Sequence, residues 1–213
     1  LVEKTFVDSG GQFVQQTEQL GTAHAVNMAA PHLRDQSKVL ILYGDVPLIK
    51  PATIAKMLAA VEGKTIGLLT INLENPMGYG RIVRNEAGMI ESIVEQKDAS
   101  EEQLLISEIN TGVLALGAEQ LKAWLPQIDN NNAQGEYYLT DLIAIATANG
   151  YHIDSIQPTS ATEVEGVNNR IQLSRLERAH QLELAEALML SGTTLADPSR
   201  FDQRGELRAG QDN

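Results

Sequence analysis

At 213 residues, with 28 acidic against 16 basic side chains and a formal charge of −12, the chain is acidic and long enough to bury a core. No basic stripe stands out, which argues against a nucleic-acid partner, and no apolar stretch approaches the length of a membrane span. The absence of cysteine removes disulfides, thiolate catalysis and Cys-based zinc sites together, and fits a reducing cytoplasm.

Thr5-Phe6-Val7 is followed by a loop at Ser9-Gly10-Gly11, and Phe13-Val14-Gln15-Gln16 has the pattern of a short strand. Leu20-Gly21-Thr22 leads into a helix over residues 23–30, limited by Pro31, with Thr22 as its N-cap. A helix N-terminus offers unpaired N–H groups to a polar ligand, although an ordinary capped helix reads the same way. Residues 39–43 are apolar without interruption and stop at Gly44-Asp45, the pattern of a strand buried on both faces of a parallel sheet. Asp45 then stands at the carboxyl end of that strand, where open α/β sheets bind ligands. A carboxylate there can ligate a hard cation such as Mg²⁺, or do no more than bond the turn before the next helix.

Residues 51–62 set Ile54, Met57, Leu58 and Val61 on one helical face, and residues 65–71 read as a strand. Asn75-Pro76-Met77-Gly78-Tyr79-Gly80-Arg81 is dense in turn formers, so the backbone turns tightly or approaches something closely. Strands over 81–84 and 89–94 flank the turn Asn85-Glu86-Ala87-Gly88, a hairpin set into a strand–helix alternation. A surface helical turn at 100–103, a strand at 108–116 and a helix at 118–125 follow. After a polar loop over 130–138 come a helix over 139–148, closed by Gly150, and a last strand at 151–156. The longest helical pattern, residues 169–190, aligns Leu173, Leu176, His180, Leu184 and Leu188 and stops at Gly192. The polar tail 197–213 reads as a linker.

Several motifs occur in a fixed order. They are Gln16-x-x-Gln19-Leu20-Gly21-Thr22-Ala23-His24-Ala25, Leu42-Tyr43-Gly44-Asp45-Val46-Pro47-Leu48, Gly78-Tyr79-Gly80-Arg81 and Ile93-Val94-Glu95-x-Lys97-Asp98-Ala99. Glu108-Ile109-Asn110-Thr111-Gly112, Gln134-Gly135-Glu136-Tyr137-Tyr138-Leu139-Thr140-Asp141 and Glu165-Gly166-Val167-Asn168-Asn169-Arg170 follow. Each is weak alone; in register they are specific. Along almost its whole length the chain resembles the uridyltransferase domain of the bacterial bifunctional N-acetylglucosamine-1-phosphate uridyltransferase / glucosamine-1-phosphate acetyltransferases.

That resemblance implies an α/β, Rossmann-like nucleotidyltransferase fold with a mixed, mostly parallel sheet and an inserted sugar-pocket hairpin. It implies a cytoplasmic enzyme joining UTP to N-acetylglucosamine 1-phosphate, with UDP-N-acetylglucosamine and pyrophosphate as products, for peptidoglycan and lipopolysaccharide precursors. Matched by motif, Gln16, Gly21 and Thr22 read the uracil, and Tyr43, Gly44 and Asp45 lie in the nucleotide site. Gly80, Glu95, Asn110, Thr140 and Asn168 belong to the sugar pocket. Asp45 and Asn168 are the protein ligands of Mg²⁺ and the residues assigned to catalysis. None of His24, His32, His152 and His180 is needed as a base; His24 is expected to support the helix behind Gly21-Thr22, and His180 to pack on a helix face.

The family's opening strand and Gly-rich loop, of the type Leu-Ala-Ala-Gly-x-Gly-Thr-Arg-Met, have no counterpart before Gln16. The expectation is a longer parent polypeptide. Within it, residues 1–168 would be an N-terminally incomplete nucleotidyltransferase domain, 169–192 a connecting helix, and 193–213 a linker toward a left-handed β-helix acetyltransferase domain. The parent is expected to be a homotrimer, with no nucleic-acid or membrane partner. Two alternatives stay open: a related sugar-1-phosphate nucleotidyltransferase with another base or sugar, and a truncated, non-catalytic UDP-sugar-binding domain.

Overall fold

A computed structural model of the chain describes residues 2–6 and 10–211; Val7 and Ser9 of the expected opening segment and the last two residues of the tail lie outside them. The chain forms two compact units, one of Leu1–Leu42 with Ala52–Gln157, the other of Tyr43–Pro51 with Pro158–Asn213.

Among the described residues the first unit holds one sheet of β1 (Lys38–Ile41), β2 (Thr65–Asn72), β3 (Arg81–Arg84), β4 (Ile90–Val94), β5 (Glu108–Gly117) and β6 (His152–Ile156). The order is β4-β3-β5-β2-β6, with β1 also on β5. β2 takes one edge of β5, and the other edge is shared by β1, against residues 114–117, and β3, at Ile109. β1, β2, β3 and β6 run one way and β4 and β5 the other. The sheet is therefore mixed, as expected. Its parallel character lies in strand direction more than in pairing, because β5 runs against its neighbours and leaves β2–β6 as the parallel pair among the described residues.

The strand buried on both faces is β2, not β1. Ile66, Leu68 and Leu69 are almost fully buried, each worth about 2 kcal/mol of transfer free energy. Ile66 and Leu68 join Leu114, Leu116, Leu121, Trp124, Leu142, Ile143 and Ala146 in the core. That core includes residues of α5 (Ala118–Trp124) and α6 (Asp141–Ala148). Residues alternate across a strand, so Gly67 faces the other way. A Cβ there would come 2.9 Å from the Met57 carbonyl of α3 (Pro51–Ala60), so the missing side chain lets that helix lie on the sheet. Helices thus cover both faces of an α/β sheet. β1 ends at Ile41, two residues early; it is only half-buried, and Leu42 is exposed. A continuous apolar run reports a strand but not how many neighbours it finds.

The expected strand over 13–16 is irregular backbone, and residues 2–5 form a short helix, α1 (Val2–Thr5). α2 spans Thr22–Ala29, and Pro31 falls in a 3₁₀ turn directly after it. The hairpin β3–β4 is as expected, with Asn85 Oδ1 accepting from the Ala87 and Met89 N–H groups. α4 (Glu101–Leu104) starts in a reciprocal Ser100–Gln103 capping box.

In the second unit α7 (Arg170–Leu190) starts with an Asn169–Gln172 capping box. The buried residues of α7 are Leu176, Gln181 and Ala185, while Leu173 and His180 are exposed; the predicted stripe is rotated and His180 does not pack. The reason is polar. The tail returns along α7, with Gln203 N–H donating to Gln181 Oε1 at 2.7 Å and Gln181 Nε2 donating to the Gln203 carbonyl at 3.2 Å. Arg178 donates to the Ser199 and Phe201 carbonyls. The described tail is thus docked on its own helix rather than loose.

Candidate functional site

The N-terminus of α2 differs from its expected capping. Its N-cap is Gly21, at φ 115°, and no side chain caps the helix. The Thr22 hydroxyl instead accepts from Leu139 N–H at 3.0 Å, the Ala23 N–H donates to the Tyr137 carbonyl at 2.9 Å, and Tyr137 N–H donates to the Leu20 carbonyl at 2.8 Å. A distant backbone segment satisfies the helix end in place of a local side chain. A Cβ on Gly21 would lie 2.5 Å from the Tyr137 oxygen, so the close approach and the positive φ both require glycine. Gln16 is brought to the same corner. Its amide nitrogen lies 3.2 Å from the Gly21 carbonyl and 3.0 Å from His24 Nδ1.

The segment that clamps α2 ends at Thr140, whose hydroxyl donates to Glu95 Oε1 at 3.1 Å. Gly80 lies against Glu95, since a Cβ at Gly80 would come 3.4 Å from Glu95 Oε1 and 2.9 Å from an Ile93 methyl. The Gly80 carbonyl accepts from Asn110 N–H at 2.9 Å. So Gly80, Glu95, Asn110 and Thr140, drawn from four separate stretches, meet in the first unit. Asn110 sits in a β-bulge: Leu68 pairs with Leu114 but Thr70 with Asn110, which leaves β5 two residues in excess. Gly112, at φ 87°, allows the bulge, and Asn110 Oδ1 fastens it by accepting from Gly112 N–H. Bulges re-aim side chains, and a Gly inside a strand pattern is the sequence signal for one.

Two residues beside this group were missed from sequence. Arg81 is almost fully buried, donating to Gln96 Oε1 at 2.8 Å and to the Tyr79 carbonyl, and Gln96 Oε1 also accepts from Gly78 N–H. The Gly78-Tyr79-Gly80 turn therefore folds around a buried guanidinium. Glu108, which opens the Glu108-Ile109-Asn110 motif, forms a two-pronged ion pair with Arg84 and accepts from Thr70, which holds its carboxyl below the usual range. Its place is structural, joining β2, β3 and β5.

Glu95 also lines a cavity of about 420 Å³ with Asp98, Asp129, Asn132, Tyr138 and Asp141. Burial raises the Glu95 carboxyl, against the Thr140 hydrogen bond. Asp141 is pushed up to about 6 from an ordinary 3.8, first by burial and then by Asp129, Glu95 and Asp98. A folded pKa above the unfolded one means that folding favours the protonated carboxyl. That contribution is full below pH 3.8 and is lost as pH rises through about 6. Asp141→Asn, which is neutral at every pH, should raise the melting temperature at pH 8 and leave it nearly unchanged at pH 3. Equal shifts at both pH values would show that charge is not the cause.

In the second unit, Asp45 and Asn168 come from loops joined by a bond from Val167 N–H to the Asp45 carbonyl at 2.8 Å. Gly166 packs beside the Asp45 carboxylate, a Cβ there falling 3.6 Å from Oδ2. Tyr43 and Gly44 form the turn before it, closed by Val46 N–H donating to the Tyr43 carbonyl. A further residue that sequence reasoning missed, Glu163, fixes this arrangement. Buried to 1% exposure, it accepts from Lys50 N–H at 3.2 Å and from the Thr159 N–H and hydroxyl at 2.9 Å each, joining the 43–51 loop to the 158–166 segment. Asp45 and Asn168 are both exposed. Among the described residues neither side chain makes an internal hydrogen bond, and no group of three or more His, Cys, Asp or Glu could hold a metal. The donor set, one carboxylate and one amide oxygen, fits Mg²⁺, which keeps waters and takes substrate oxygens in place of a protein cage.

The family model for nucleotidyl transferases matches residues 8–161. Among solved structures, a UDP-glucose pyrophosphorylase complexed with UDP-glucose aligns with a TM-score of 0.56 at 15% identity, over 69% of this chain and 57% of that one. A nucleotidyl transferase from Methanothermobacter thermautotroptrophicus aligns with a TM-score of 0.54 at 18% identity, over 86% and 68%. The chain thus spans little more than half the length of the pyrophosphorylase it matches, and at these identities the likeness is one of fold. No described helix is long and apolar enough to cross a membrane.

Proposed function

The chain belongs to the nucleotidyl transferase family, and from that premise we propose that it joins UTP to N-acetylglucosamine 1-phosphate, releasing pyrophosphate and forming UDP-N-acetylglucosamine for cell-envelope precursors. The observation that carries this reading is the segment 137–140. It bonds α2 beside Gln16 and Gly21 at one end and Glu95 at the other. A corner suited to a base and a carboxylate suited to hydroxyls, on one short segment, suit a nucleoside joined to a sugar.

In this assignment Gln16, Gly21 and Thr22 take the uracil. The Glu95 carboxylate accepts from sugar hydroxyls. Asn110, with its Oδ1 committed to Gly112, offers Nδ2 as a donor, which the carbonyl of an N-acetyl group can accept. The attacking sugar-phosphate oxygen is already anionic, so no general base is called for. The obstacles are repulsion between two polyanions and in-line alignment. Asp45 and Asn168 would hold Mg²⁺, which when bound supplies charge neutralisation at the phosphates.

The test is pyrophosphate release from UTP, Mg²⁺ and N-acetylglucosamine 1-phosphate, run against glucose, galactose and mannose 1-phosphates and against other nucleoside triphosphates. Release confined to UTP with N-acetylglucosamine 1-phosphate is the expected result. Release with another pair would make the chain a related sugar-1-phosphate nucleotidyltransferase. Binding of UDP-N-acetylglucosamine without release would make it a non-catalytic binding domain.

A further inference from the structure

The Gln16 amide is oriented by its neighbours, and the orientation has a chemical meaning for the base. Its nitrogen, Nε2, has two hydrogens to give and no lone pair to offer. It lies 3.2 Å from the Gly21 carbonyl oxygen, which can only accept, and 3.0 Å from His24 Nδ1. Both hydrogens are therefore used if Nδ1 carries the ring's lone pair and the imidazole proton sits on Nε2. With the amide turned over, Gln16 Oε1 would face the Gly21 oxygen, acceptor against acceptor. Among the described residues Oε1 has no internal partner, so the half-buried Gln16 presents an acceptor and nothing else.

We propose that His24 is a positioning residue for base selectivity, holding the Gln16 amide so that its oxygen faces the base. This rests on the uridine-nucleotide reading above. The imide edge of uracil carries a donor, N3–H, between two acceptors, whereas cytosine has a bare acceptor nitrogen at N3. An amide locked as an acceptor bonds the first and repels the second, so selection between the pyrimidines follows from a contact the base never touches. The two constraints are unequal in kind: the Gly21 carbonyl belongs to the backbone, and His24 is a side chain that substitution can replace.

The experiment measures UTP and CTP affinities by calorimetry on the full chain and its variants, and reads their ratio. His24→Leu removes an acceptor and frees one amide hydrogen; the UTP preference should fall about tenfold, the worth of one hydrogen bond to a misplaced partner. His24→Asp supplies only acceptors and should keep the ratio, while its charge weakens both triphosphates alike. His24→Lys supplies only donors and should lower the ratio as the leucine does. Thermal melts confirm folding, and the Asp and Lys pair decides the matter if the leucine variant fails to fold. An unchanged ratio in His24→Lys, or an equal fall in all three variants, overturns the assignment. A wild-type chain that binds no uridine nucleotide overturns the reading beneath it, a result distinct from unaltered selectivity in a chain that does bind.

Discussion

Asp45→Asn should reduce the rate of pyrophosphate release on the order of 10²- to 10³-fold, the usual loss when one group that offsets transition-state charge is removed. Uridine monophosphate affinity should change less than about twofold, as for substitutions at independent positions. The two effects separate because of where the bonds lie. The Asp45 loop is held through backbone groups, the Asp45 carbonyl accepting from Val167 and the Lys50 N–H donating to Glu163. The exposed carboxylate makes no internal hydrogen bond among the described residues, so asparagine keeps the loop and deletes the charge. The residues proposed to read the base, Gln16, Gly21 and Thr22, belong to the other unit. The Mg²⁺ concentration needed for half-maximal rate should rise as well, a readout independent of the plateau rate. A variant in which turnover and uridine affinity fall together would instead identify Asp45 as a residue of the turn, the plainer reading its sequence context allows.

What could be read from sequence was what is fixed locally. The β3–β4 hairpin was legible because Asn85 and Gly88 build its turn from within four residues, and α3 because its apolar positions recur at helical spacing. The capping of α2 was not. Thr22 has the right chemistry for an N-cap, but Leu139, 117 positions away, takes its hydroxyl. A propensity cannot register a competitor so distant. The burial of β1 and the buried stripe of α7 failed for a related reason: both depend on which surface arrives, a single neighbouring strand among the described residues in one case and a polar tail led by Gln203 in the other. For the candidate site, motif order named Gly80, Glu95, Asn110 and Thr140 without explaining how they meet. The bulge at Gly112 and the bond from Thr140 to Glu95 supply that. Glu163 had no motif at all, since the Lys50 and Thr159 groups it accepts from are brought to it by the fold.

The largest stability loss is expected at Gly21. Alanine there must adopt φ 115°, which costs about 1–3 kcal/mol, and its Cβ would fall 2.5 Å from the Tyr137 oxygen and 2.7 Å from its nitrogen. Those atoms are backbone and cannot rotate aside. Relief requires displacing the segment, which sacrifices the Tyr137-to-Leu20, Ala23-to-Tyr137 and Leu139-to-Thr22 bonds, each worth about 1 kcal/mol. Gly21→Ala should therefore lose roughly 4–6 kcal/mol, in the exceptional range that marks a specific buried fault. Gly135→Ala is the control: it also has a positive φ, 66°, but nothing lies within 4 Å of the added methyl, so only strain remains, about 1 kcal/mol. Chemical denaturation of the pair measures the difference directly. The same displacement reaches Thr140 and loosens its bond to Glu95, so under conditions where Gly21→Ala is still folded it should weaken N-acetylglucosamine 1-phosphate binding as well as uridine binding. Gly135→Ala should alter neither. If the two variants lose equal stability, the close packing of Gly21 on Tyr137 is not what fixes the segment. If only uridine affinity falls, the Gln16–Gly21 corner and the Gly80–Glu95 group are held independently, and the segment 137–140 does not couple them.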